Sequence, residues 1–89
     1  MSPLDVKAAV TTAVTYLQVL YSDEDLKNIR LEEVWLSDDE KYWYVTIGYD
    51  SLTSARDPLA ALRQPEREYK LFKVRVEDGR VMEMKMRQP

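Results

Sequence analysis

The sequence predicts an α+β fold, with one N-terminal helix packed on a four-stranded antiparallel meander sheet in the order α-β-β-β-β. Three observations carry this reading. Apolar residues recur at three- and four-residue steps from Val6 to Leu20, the period of a helix with one buried stripe. From Asn28 onward the period drops to two, as in strands with one buried face. Two short polar connections, Asp38-Asp39-Glu40-Lys41 and Glu77-Asp78-Gly79, then divide the alternating segments into hairpins. The length of 89 residues, with 45% apolar and 33% charged side chains, suits a single domain over 1–89 with one core.

The helix is expected over about residues 3–21. Ser2 is a good N-cap, Pro3 fits the first helical position, and Asp5 completes the spacing of a capping box. Val6, Val10, Ala13, Leu17 and Leu20 form the stripe, which Ala9, Val14 and Tyr16 widen. Its β-branched residues lower the intrinsic propensity, so packing has to hold it. Ser22-Asp23-Glu24-Asp25 is read as a polar connector.

In the first strand Ile29 and Leu31 alternate, and Val34 and Leu36 continue on the opposite parity. A strand changes parity only by carrying an extra residue, which predicts a β-bulge near Glu32-Glu33. The second strand, Tyr42 to Tyr49, turns Trp43, Val45, Ile47 and Tyr49 to one face. Pairing Ser37 with Tyr42 sets Leu36 opposite Trp43 and Val34 opposite Val45, apolar against apolar.

Residues 50–66 lose strand character, and Asp57-Pro58 reads as the cap of a short helical turn that Pro65 ends. The last two strands are expected over about 67–77 and 80–87. A three-residue loop with Gly79 at positive φ places Val74 opposite Met82, Phe72 opposite Met84 and Lys73 opposite Glu83. A two-residue loop would set Val74 against Glu83. The core should then contain the helix stripe with Leu36, Trp43, Val45, Ile47, Phe72, Val74, Met82 and Met84.

Composition narrows the chemistry. The chain has no Cys and no His, which removes thiolate nucleophiles, disulfides and the commonest general base and metal ligand. No G-x-S-x-G, S-x-x-K or phosphate-cradling glycine loop occurs, so the expectation is a protein that is not an enzyme and takes no cofactor. The triplets Asp23-Glu24-Asp25 and Asp38-Asp39-Glu40 lack the spaced oxygens and turn glycine of a calcium loop and are read as solvated turn acids. Thirteen basic residues against sixteen acidic ones give a net charge of -3, which argues against nucleic acid as a partner. No apolar run is long enough to cross a bilayer, and Met1-Ser2-Pro3-Leu4-Asp5 has no signal-peptide pattern, so a cytoplasmic location is expected.

The aromatic residues point to a surface. By alternation Trp35, Tyr42, Tyr44, Leu71 and Val81 fall on the face away from the helix, with Trp35 directly opposite Tyr44. A solvated sheet face ordinarily alternates to polar residues. Tyr and Trp are enriched in contact surfaces, and this face is the expected site for a second copy of the chain or another protein. The first and last strands offer unpaired edges as another route, but Lys85 and Arg87 are expected to blunt the last one, which favours face-to-face contact.

The order helix, hairpin, loop, hairpin, with Tyr69-Lys70-Leu71-Phe72-Lys73-Val74-Arg75-Val76 leading into Glu77-Asp78-Gly79-Arg80-Val81, resembles the PepSY-like domains. That resemblance implies a cystatin-like helix on antiparallel strands. It also implies a non-catalytic module of a kind proposed to regulate peptidases or bind proteins. The alternative is a small-ligand binder with a pocket between helix and sheet, closed by residues 50–66.

Overall fold

The structure, a computed structural model, describes residues 4–24, 26–51 and 66–87. It has one helix, α1 (Val6–Leu20), and four strands, β1 (Lys27–Leu36), β2 (Tyr42–Ser51), β3 (Glu66–Arg75) and β4 (Val81–Met86). The strands form one antiparallel sheet in the order β1-β2-β3-β4, the α+β meander that the periodicities predict. The short helix expected after Asp57-Pro58 lies outside the described residues.

The helix begins later than its capping pattern suggests. Asp5, not Ser2, is the N-cap, with an extended backbone and a carboxylate that accepts from the Ala8 amide at 2.8 Å. The physical reason is the residue before it. The Leu4 amide donates to the Val76 carbonyl, and the Leu4 carbonyl accepts from Trp43 Nε1. Held from both sides, Leu4 cannot take helical torsions, so the first orphan amides fall to Asp5. At the other end the Tyr21 amide closes the last turn on the Leu17 carbonyl.

The helix sits on the inner face of the sheet. Ala9, Ala13 and Leu17 are fully buried against Val45, Ile47, Tyr49, Phe72 and Val74. Val10, Val14, Tyr21, Ile29, Val34, Trp43, Val81 and Met84 flank this cluster. Val6 and Leu20 belong to the expected stripe but lie in the terminal turns and are exposed. Tyr49 is buried, and its hydroxyl donates to the Glu68 carboxylate at 2.9 Å. Burial, followed by that carboxylate, raises the phenol well above its ordinary pKa.

In β1 the pairing shifts by one residue between Leu31 and Glu33, at the expected bulge. Beyond it Val34, Trp35 and Leu36 face Val45, Tyr44 and Trp43, the predicted register. A second shift lies between Lys27 and Arg30, where Asn28 has a positive φ of 54°. Its side-chain amide donates to Asp50 at 2.6 Å, and its carbonyl accepts from Arg67, which holds the bent end of the strand in place.

The last hairpin departs from the expected pairing near its turn. Phe72 faces Met84 and Lys73 faces Glu83, as expected, but Val74 faces Val81, not Met82. The Arg75 amide donates to the Arg80 carbonyl, leaving a loop of Val76 to Gly79 in place of three residues. The register is recovered because β4 carries an extra residue at Val81-Met82. The bulge turns Val81 toward the core, while Met82, expected inside, is 40% exposed. Gly79 has a φ of +73° and its amide donates to the Arg75 carbonyl. Gly79→Val should therefore cost about 1–2 kcal/mol in a denaturant titration, because a β-branched residue is penalised at positive φ. An unchanged midpoint would contradict this.

Asp78 organises the same turn. Its carboxylate accepts from the Arg75 guanidinium, with Nε at 2.9 Å, and from the Arg80 amide at 3.0 Å. The Arg75 bond first, and the Arg80 amide second, lower its pKa from 3.8 to about 2. A depressed folded-state pKa contributes stability that is present above the unfolded value and is lost as the pH falls through the folded one. The wild type should thus lose stability between about pH 4 and pH 2 more steeply than Asp78→Asn. Parallel acid titrations by circular dichroism check this, and identical slopes would exclude it.

Candidate interaction surface

The outer face of the sheet is built by the side chains that alternate away from α1. Trp35 of β1 and Tyr44 of β2 are direct cross-strand partners. Their rings stack with centroids 5.1 Å apart and planes at 17°, and Trp35 remains 41% exposed. Tyr42, two residues along β2, lies under Lys73 of β3, whose Nζ is 4.3 Å from the ring centroid. These contacts hold the aromatic rings in fixed positions, because stacking and cation–π attraction restrict both torsions of each ring.

Beside the stack the face dips into an open depression of about 340 Å3 lined by Tyr44, Leu71, Lys73, Glu83 and Lys85. Lys73 and Glu83 are cross-strand partners, and Lys85 Nζ lies 3.8 Å from Glu83. The lining is mixed, with Tyr44 and Leu71 beside the charged side chains of Lys73, Glu83 and Lys85. Four of the five expected surface residues therefore share this face: Trp35, Tyr42, Tyr44 and Leu71. Val81 does not. The bulge in β4 gives it to the core, and Lys73, Glu83 and Lys85 take its place at the margin.

The other end of the face is closed by charge. Arg67 of β3 bridges Glu32 at 2.8 Å and Asp50 at 3.1 Å. The pair lies over Gly48, where a Cβ would meet the Glu32 carboxylate at 2.7 Å and Arg67 at 3.1 Å. Hydrogen bonds from Asn28 and then Arg67 hold the Asp50 carboxyl below its usual range. Further along, Arg87 reaches across the sheet to Glu33 at 3.4 Å, and Glu33 also accepts from the Thr46 hydroxyl at 3.2 Å. Thr46 is only 2% exposed although it is on this face, because these long side chains cover it. Trp35, Tyr42, Tyr44 and Leu71 lie away from this charged end of the face.

Sequence reasoning finds the stack, because register and parity place Trp35 against Tyr44. It misses the Arg87–Glu33 bridge, which joins the two outermost strands and has no signature in local spacing. Of the acidic triplets, Asp38-Asp39-Glu40 proves more ordered than a solvated turn. Asp39 accepts from the Ser37 hydroxyl at 2.6 Å and the Lys41 amide at 3.0 Å, bonds that lower its pKa. Asp25 of the other triplet lies outside the described residues. Among the described residues, no group of three or more carboxylates is arranged to hold a metal ion, and no helix is long and apolar enough to cross a membrane. Comparison of the chain with protein-family models, with curated proteins and with solved structures finds no match.

Proposed function

We propose that the protein is a non-catalytic interaction module that engages a protein partner through the outer face of its sheet, with Trp35 and Tyr44 at the centre of the contact. The observation that supports this most directly is the pre-ordered Trp35–Tyr44 stack, with Trp35 exposed, beside an open depression. Rigid aromatic side chains supply contact area at low conformational cost, and they dominate the energetics of protein interfaces. The resemblance of residues 69–81 to PepSY-like domains points the same way, and the reading places the module in the cytoplasm with a protein, not nucleic acid or a cofactor, as its partner. A small-ligand pocket is less favoured, because Ala9, Ala13 and Leu17 fill the described seam between helix and sheet.

Photo-crosslinking tests the assignment. Benzoyl-phenylalanine at Tyr44 keeps an aromatic ring in the stack, and the same group at Thr11 marks the exposed back of the helix. The expected result is a discrete adduct from position 44 and none from position 11 after irradiation in cells. An adduct of equal yield from both positions, or from neither, overturns the reading.

A further inference from the structure

We propose that the chain self-associates along the outer edge of β4, pairing antiparallel with β4 of a second copy about a two-fold axis at Met84. This inference concerns a different surface from the outer face and does not depend on that face binding a partner. The two edges of the described sheet differ. β1 is interrupted by two register shifts and carries Arg30, Glu32 and Glu33, features that discourage strand addition. β4 pairs regularly with β3 from Glu83 to Met86 beyond its bulge and has no described strand on its other side. The residues expected to blunt this edge turn elsewhere: Arg87 lies across the outer face on Glu33, and Lys85 lies beside Glu83.

The hydrogen-bonding parity selects which residues a partner would meet. The Arg87 amide donates to the Tyr69 carbonyl of β3, so by alternation the backbone of Glu83 and Lys85 also points to β3. The backbone N–H and C=O groups of Met84 and Met86 therefore point outward. Two antiparallel copies can pair these groups only in registers with the axis at a β4 residue. With the axis at Glu83, two glutamates face each other; with the axis at Lys85, two lysines do. With the axis at Met84, Glu83 of each copy faces Lys85 of the other.

That register is self-complementary in three ways. The outward N–H and C=O groups of the two Met84 residues pair directly with each other at the axis. The Glu83–Lys85 pairs occupy the non-hydrogen-bonded positions, where opposing side chains approach most closely. Met82, 40% exposed, faces Met86, 61% exposed, so the flexible thioethers cover one another. A sheet of eight strands results, and the contact is small enough to make the dimer weak and concentration-dependent.

Sedimentation equilibrium over a range of concentrations tests the register. The wild type should rise toward twice the chain mass, and Lys85→Glu or Glu83→Lys alone should weaken association by about tenfold, because each sets like charges opposite in both pairs. An equimolar mixture of the two variants should recover association, since each then faces the opposite charge. Lys85→Glu is the cleaner single variant, because Lys85 faces Leu71 within the chain whereas Glu83 faces Lys73. Hydrogen exchange supplies a second readout: the Met84 and Met86 amides should slow with rising concentration while the Lys85 amide does not change. The Trp35→Glu, Tyr44→Lys double variant should still dimerise. A wild type that stays monomeric at high micromolar concentration overturns the proposal. So does a single variant that dimerises normally, a mixture that fails to associate, or a dimer lost in the double variant.

Discussion

Val45→Asp is expected to leave the chain unfolded in dilute buffer at room temperature. Val45 is fully buried at the centre of β2, with Val34 on one side and Phe72 on the other. A carboxylate there loses its hydration without a donor to replace it, a cost of several kcal/mol even if it takes up a proton. A domain of this size holds about 5–10 kcal/mol of stability in total, so one such residue removes most of it. Tyr44→Asp, one residue earlier and on the opposite face, should lose only the stack with Trp35, about 1 kcal/mol, and stay folded. Proton–nitrogen NMR spectra of both variants decide the matter. A dispersed spectrum for Val45→Asp would show that β2 does not bury this face.

The contrast between neighbouring positions also explains how much of the fold was legible. Parity is a strict rule, so the switch from Leu31 to Val34 required a bulge, and one lies between Leu31 and Glu33. The earlier shift at Asn28 left no such trace, because too few alternating residues precede it. The hairpin at Gly79 shows the limit of pair matching. Val74 opposite Met82 and Val74 opposite Val81 are both apolar pairs, so side-chain type could not separate a three-residue loop from a four-residue loop with a bulge. Both give Phe72 opposite Met84, and only Val81 and Met82 exchange faces. The candidate surface inherits that ambiguity: Trp35, Tyr42, Tyr44 and Leu71 sit where the register is fixed by long pairing, while Val81 sits at the bulge. The N-cap failed for another reason. Ser2-Pro3 and Asp5 both suit a helix start, and the choice is made by Leu4 bonding to Val76 and Trp43, far away in the chain.

The helix stripe was legible in direction but not in extent, and this gives the second large effect. A 15-residue helix is about 22 Å long, and its fully buried residues, Ala9, Ala13 and Leu17, occupy only the middle turns. Leu17→Ala should cost about 3 kcal/mol, because it empties a site enclosed by the sheet. Leu20→Ala removes as many carbons from the same side of the helix, yet Leu20 is 49% exposed and the change should stay within about 0.5 kcal/mol. Ala9 and Ala13 are both fully buried against the sheet, so a larger side chain there has to displace packed neighbours. Ala13→Leu should therefore destabilise by about 1–3 kcal/mol through overpacking, although it raises both hydrophobicity and side-chain area. Urea midpoints for the three variants separate packing from composition. If hydrophobic content alone held the helix, Ala13→Leu would raise the midpoint and the two leucine truncations would lower it equally; if the seam holds it, Leu17→Ala and Ala13→Leu both fall and Leu20→Ala stays with the wild type.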